Sequence, residues 1–165
     1  MKKIITVAAL LLFLTGCAQP TFETLQDPGI QTDTPAAAQI QLTLPDEASA
    51  AVMESEDAGK MYFCDGYTVT VQTLPGGDLD RTLRQLTGFA KDALTLMQTR
   101  QDVIDRYESV WSAAGEEGDQ VGRVVVLDDG NYHYAVSVMA PYTAAGDLAS
   151  VWQNILESVS LHTAA

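Results

Sequence analysis

The sequence predicts an α+β fold: a mainly antiparallel sheet packed by two amphipathic helices. Three observations lead there. Short segments with apolar residues at every second position flank Asp-Gly turns, and two other segments carry apolar residues at helical spacing. The two kinds are not interleaved as the strand–helix–strand units of a parallel sheet would be. The chain has 165 residues, 47% hydrophobic and 19% charged, which suits one core and is short for two.

Taken in order, Ile40, Leu42 and Leu44 alternate with Gln39, Gln41 and Thr43, a half-buried strand that Pro45 ends. The Ala-rich acidic stretch from Asp46 to Gly59 fits either a short helix or a strand around Val52 and Met53. Met61 to Cys64 and Tyr67 to Val71 flank Asp65-Gly66, whose glycine readily takes the positive φ of a tight hairpin. Asp78 follows Pro75-Gly76-Gly77 and caps a helix with Leu79, Leu83 and Leu86 on one stripe, Arg81, Arg84 and Gln85 on the other side, and Gly88 past its end. Ala93 to Thr99, Arg106 to Ser112 and Val121 to Leu127 read as three strands, the last almost continuously apolar. After a turn at Asp128-Asp129-Gly130-Asn131, Tyr132, Tyr134, Val136 and Val138 alternate with His133, Ala135, Ser137 and Met139, the clearest hairpin in the chain. Pro141 ends that strand. Gly146-Asp147 opens a second helix with Leu148, Val151, Trp152, Ile155 and Leu156 on one stripe, and Val159-Ser160-Leu161 adds a short strand.

The N-terminal part has a different composition. Met1-Lys2-Lys3 is basic, Ile4 to Leu14 is an uncharged apolar run, and Leu14-Thr15-Gly16-Cys17 follows. This is the three-part plan of a secretory signal, and the run is too short to span a hydrocarbon core about 30 Å thick. The motif Leu14-Thr15-Gly16-Cys17 resembles the lipobox of bacterial lipoproteins. The resemblance implies cleavage before Cys17, a diacylglycerol on its sulfur and usually an acyl chain on its amine, a durable anchor at about 0.8 kcal/mol per buried CH₂. An ordinary signal cleaved nearby, such as after Ala18, is the competing reading. From Ala18 to about Ala38 the chain is rich in Pro, Thr, Gln, Asp and Ala, with Pro20, Pro28 and Pro35 spaced through it. It reads as a flexible tether, or alternatively as a chain end docked through Phe22, Leu25 and Ile30. The expected organisation is therefore a signal peptide over 1–16, lipidated Cys17 and tether over 17–38, and one α+β domain over 39–165.

Within that domain, the paired strands from Gly122 to Ala140, the helix from Asp147 to Ser158 and the closing Val159-Ser160-Leu161 resemble the closing half of PsbP/Mog1-type domains. The resemblance implies their layering and no shared active site, since known members include accessory and binding proteins.

Nine bases stand against twenty-two acids, a net charge of −13, and loss of residues 1–16 leaves seven bases and −15. Nucleic acid is excluded as a partner, because it demands clustered Lys and Arg. Cys64 reads as a small core residue on a strand rather than a nucleophile. His133, on the strand face opposite Tyr132 and Tyr134, reads as a surface or edge histidine, with a general base as the sharper alternative. His162, near the C-terminus, is expected to be exposed. The loops Asp128-Asp129-Gly130-Asn131 and Glu116-Glu117-Gly118-Asp119 invite a calcium reading. EF-hand spacing fails, however, because Val125 and Leu127 stand where oxygen ligands belong, and turn chemistry explains both loops better. Among the aromatics, most are expected to pack the sheet rather than line a ligand groove. Common catalytic and nucleotide motifs are absent, so no catalytic residue, metal ligand or cofactor is assigned, and Cys17 is the one site residue.

The expectation is a lipid-anchored protein on the extracytoplasmic face of the cell membrane, or of the outer membrane where there are two. Its partners would be the membrane, through the anchor, and another envelope protein, for which it serves as a non-enzymatic binding or accessory domain. A capture module for a small ligand or divalent cation beside a transporter is the alternative. A hydrolase using His133 with an acid is the second.

Overall fold

The most apolar run of the chain becomes the middle of the sheet. In the computed structural model, which describes residues 35–48, 59–115 and 118–162, Val124, Val125, Val126 and Leu127 are all buried, alternating between the two faces of strand β6 (Gln120–Asp128). A strand covered on both sides has no solvent-facing row, so its sequence reads as continuous rather than alternating. Its neighbours are β5 (Ile104–Ala113) and β7 (Tyr132–Pro141), and β3 (Tyr67–Pro75) lies beyond β7. The edges are β2 (Lys60–Cys64) and β4 (Met97–Gln101), giving the order β2-β3-β7-β6-β5-β4 with every pair antiparallel.

Helix α1 (Leu79–Thr87) covers one face and helix α2 (Ala145–Glu157) the other. On the α2 face Val125, Leu127, Tyr134, Val136 and Val138 meet Trp152, Ile155 and Leu156. On the α1 face Leu83 closes over Val124, Val126 and Ala135. Each fully buried aliphatic side chain contributes about 1.5–3 kcal/mol, so these two clusters dominate the stability. This is the α+β class that the sequence predicts. The ends of α1 follow its sequence signals: Asp78 accepts from the Arg81 amide at 3.0 Å, and Gly88 at φ 80° donates to the Arg84 carbonyl. Gly66, at φ 80°, makes the β2–β3 turn.

Three elements depart from the sequence reading. The strand expected over Gln39 to Leu44 stops at Gln41, and β1 (Gln39–Gln41) pairs with β8 (Ser160–His162) in a separate two-stranded ribbon. Ile40, Leu42 and Leu44 still pack on the α2-side core, but the Thr43 amide turns away to the Ser158 hydroxyl at 2.8 Å and the ladder ends. The strand expected over Ala93 to Thr99 begins only at Met97, because Lys91–Ala93 forms a 3₁₀ turn pinned by Asp80, which accepts from the Lys91 amide at 2.7 Å. Leu94 and Leu96 then pack against the α1-side core. Finally, α2 starts at Ala145 without a side-chain cap, ahead of Gly146-Asp147. The reading of a helix or strand around Val52 and Met53 lies outside the described residues, as does the N-terminal signal.

Gly122 is fixed by close approach. A Cβ on Gly122 would sit 2.5 Å from the indole of Trp111, its cross-strand partner, and 2.8 Å from the Val138 carbonyl oxygen. Gly122→Ala should therefore lower stability by at least about 2 kcal/mol, a cost of overpacking. Leu83→Ala should cost about 3 kcal/mol by opening a cavity under α1. Urea denaturation followed by circular dichroism measures both, and a change under 0.5 kcal/mol in either would contradict this packing.

Candidate functional site

His133 is the most consequential polar residue in the sheet. It lies on β7 under α1 and is fully buried, which corrects the surface or edge placement expected from sequence. The four-residue turn places Asp128 directly opposite it on β6. Its Nδ1 lies 2.7 Å from the Thr82 hydroxyl of α1, and its Nε2 faces the Asp128 carboxylate at 3.4 Å. Nδ1 and the Thr82 hydroxyl are hydrogen-bonded, whereas Nε2 approaches the carboxylate without a hydrogen bond. Hydroxyl, imidazole and carboxylate thus stand in the order of a hydrolytic triad. Thr82 is only 4% exposed and His133 not at all, so the group is sealed beneath α1 rather than open to a substrate. What it does is tie α1 to the sheet.

The β6–β7 turn carries a second network. Asp129 accepts from the amides of Asn131 and Tyr132 and, at 2.7 Å, from the Tyr134 hydroxyl, while Asp128 accepts from the Gly130 amide. The Tyr134 oxygen in turn accepts from the Ala38 amide at 2.9 Å. This chain ties the segment entering the domain to the hairpin. Burial would raise the Asp129 carboxyl, but the donated hydrogen bonds outweigh it and hold the group below the usual range. Tyr134 is pushed up to about 12, mainly by burial and also by Asp129, against the Ala38 amide. Both acidic side chains of this loop are therefore spent in its turn. Glu116 and Glu117 of the other acidic loop lie outside the described residues, and among the described residues no three His, Cys, Asp or Glu side chains are arranged to hold a metal ion.

A third polar contact closes α2. Arg106 of β5 donates to the Leu156 carbonyl at 2.8 Å, to the Val159 carbonyl at 3.4 Å and to Glu108 at 2.7 Å. The guanidinium thereby places positive charge at the carbonyl end of the helix, where the dipole is negative. Beside it runs a groove of about 430 Å³ with Ile104 and Leu127, Leu161 of β8 and Thr99 and Gln101 of β4 among its lining residues.

The remaining candidates fall into place around these. Cys64 is half-buried against the α2-side core, and burial pushes its thiol up, against the effect of the Tyr67 hydroxyl. His162 is exposed on β8. Tyr67, Tyr134 and Trp152 are core residues, whereas Tyr142 is exposed. Cys17 lies outside the described residues. Sequence reasoning missed Thr82, Arg106 and the Asp128–His133 contact. The contact was legible only in the cross-turn register; Thr82 and Arg106 gave no local signal.

The fold defined here is that of PsbP-like domains. The described chain resembles LpqN of Mycobacterium tuberculosis, a protein involved in cell envelope biogenesis, with a TM-score of 0.54 and 12% identity over 78% of this chain and 86% of that one. It resembles the cyanobacterial PsbP (CyanoP) of Synechocystis sp. PCC 6803 with a TM-score of 0.55 and 9% identity, over 82% of this chain and 99% of that one. A Bacteroides thetaiotaomicron protein matches with a TM-score of 0.51 and 11% identity over 75% of this chain but 45% of its own length. No protein-family model and no curated protein matches the sequence. At such identities the likeness establishes the fold, and with it the PsbP/Mog1-like layering expected from the closing strands and helix. No helix among the described residues is long and apolar enough to cross a membrane.

Tyr134→Phe removes both the acceptor for Ala38 and the donor to Asp129, and should cost about 1–2 kcal/mol at pH 7. A group whose folded pKa is raised contributes stability that is complete below its unfolded value and lost as pH rises through the folded one. The deficit of the phenylalanine variant should therefore narrow between pH about 10, the unfolded tyrosine value, and about 12. Paired denaturation curves across that range test this, and a deficit constant to pH 12 would refute the network.

Proposed function

We propose that this chain is a lipid-anchored, non-enzymatic accessory domain of the bacterial cell envelope, tethered through Cys17 and working by contact with another envelope protein. The observation that carries the non-enzymatic part is the burial of His133. The side chain best suited to general-base chemistry lies fully buried beneath a helix, with Nδ1 hydrogen-bonded to Thr82 and Nε2 3.4 Å from the Asp128 carboxylate. The likeness to LpqN supports an envelope setting, and the motif Leu14-Thr15-Gly16-Cys17 supports the anchor. Mature negative charge would be repelled by anionic headgroups, so attachment rests on the acyl chains and the tether holds the domain clear of the surface.

Metabolic labelling with a radioactive fatty acid, combined with cell fractionation, tests the anchor. The wild-type chain should take up label and sediment with membranes, and Cys17→Ala should lose the label and its membrane attachment. A variant that stays equally attached after a carbonate wash would overturn the anchor. Proximity labelling in cells then tests the accessory role. One dominant envelope neighbour is expected, and uniform labelling proportional to protein abundance would count against it.

A further inference from the structure

The groove beside Arg106 combines apolar walls with charges of both signs. Ile104 of β5, Leu127 of β6 and Leu161 of β8 supply the apolar part, and Arg100, Asp102 and Arg106 also line it. At about 430 Å³ it has the size of a small-molecule site, in which apolar walls carry a few placed polar groups. Asp102 stands in the two-residue turn between β4 and β5, at φ 56°. Among the described residues no Lys, Arg or His lies within ion-pair distance of its carboxylate. Arg100 reaches over the same turn: its Nε donates to the Asp102 carbonyl at 3.4 Å, and its largely exposed guanidinium is 3.7 Å from Asp105. Arg106 spends three of its five N–H groups on Glu108, Leu156 and Val159, which leaves two.

These local charges narrow the class of ligand. A simple cation in the groove would meet Arg100 and Arg106. A simple anion would meet Asp102 and the field of a domain whose residues 34–165 carry nineteen acids against seven bases. A zwitterion answers both. Its ammonium neutralises Asp102, and its carboxylate is taken by guanidinium N–H groups, whose fork matches a carboxylate. An apolar body between the two charges then covers Ile104, Leu127 and Leu161, removing apolar surface from water. A dipeptide of apolar residues with free ends has this composition.

We propose that this groove is a binding site for a zwitterionic apolar dipeptide, held by Asp102 at its ammonium end and by Arg100 and Arg106 at its carboxylate end. The site goes beyond the accessory role and does not depend on it. The test uses the full chain in lipid nanodiscs, with its Ile, Leu and Val methyl groups isotopically labelled, titrated with leucyl-leucine. N-acetyl-leucyl-leucine, which lacks the ammonium, and leucyl-leucine amide, which lacks the carboxylate, serve as comparisons. Saturable methyl shifts at Ile104, Leu127 and Leu161 are expected. Each comparison should bind about fivefold more weakly, a modest factor because the charges that hold the ends are partly exposed. Asp102→Asn removes the charge and keeps a residue that tolerates the left-handed φ of the turn. It should weaken leucyl-leucine about fivefold and leave the N-acetyl form, which has no ammonium to lose, unchanged. Arg100→Gln should weaken leucyl-leucine and the N-acetyl form and spare the amide. No saturable shifts, shifts centred away from the groove, equal affinity for all three ligands, or a substitution that affects all three alike would each overturn the site.

Discussion

Everything in this fold depends on β6 and β7 being covered on both faces. Once a strand pair is buried on two sides, every side chain in it must be apolar or find a polar partner inside the protein. The valines of β6 meet the first condition. His133 meets the second through one ring nitrogen, to which α1 brings the Thr82 hydroxyl, while the β6–β7 turn brings the Asp128 carboxylate within 3.4 Å of the other. The position of α1 is thus coupled to the length of the β6–β7 turn, whose Asn131 carbonyl also accepts from the Gly76 amide ahead of the helix. Lengthening that turn by one residue would move every side chain of β7 to the opposite face and leave an unpartnered imidazole.

How much of this was legible in the sequence follows from the range of each signal. Turn glycines, the Asp78 cap and the two-residue period act over a few residues, and Gly66, α1 and the β6–β7 hairpin form where those signals stand. The continuous apolar run over Val124 to Leu127 reports double-sided burial directly. By contrast, the alternation in Gln39 to Leu44 specifies a buried face but not a partner, so it could not tell a strand of the main sheet from one of a separate ribbon. Ala93 to Thr99 misled because its two leucines serve the α1-side core from an irregular segment held by a carboxylate eleven residues upstream. His133 looked like a surface residue because its partners come from other elements; a lone histidine among alternating residues shows which way it points, not what covers it.

The candidate site was less legible than the fold for the same reason. Ala38, Tyr134 and Asp129 are joined by two hydrogen bonds, one of which spans 96 residues, and Arg106 reaches carbonyls about fifty residues away. No spacing rule finds such contacts. Their physical meaning is nevertheless simple. The network at Tyr134 fixes where the chain enters the domain, and Arg106 sets a positive charge against the carbonyl end of α2. Both lie close to the ribbon of β1 and β8, whose Ile40 and Leu161 pack on the α2-side core, and Leu161 also lines the groove beside β4 and β5.

The acidity of the chain then bears on what an open edge means. An exposed strand on a neutral domain invites pairing with its own kind, and such proteins shield their edges with proline, lysine or bulges. Here β4 has none of these, yet each copy carries a large negative charge, and like charges brought together along a short edge oppose association. That repulsion falls off within roughly a Debye length, about 8 Å at physiological ionic strength, so it acts where two copies would meet. Charge can therefore take over part of the protection that local sequence devices provide elsewhere, with one difference in outcome: a proline blocks pairing at any ionic strength, whereas repulsion between copies weakens as salt rises.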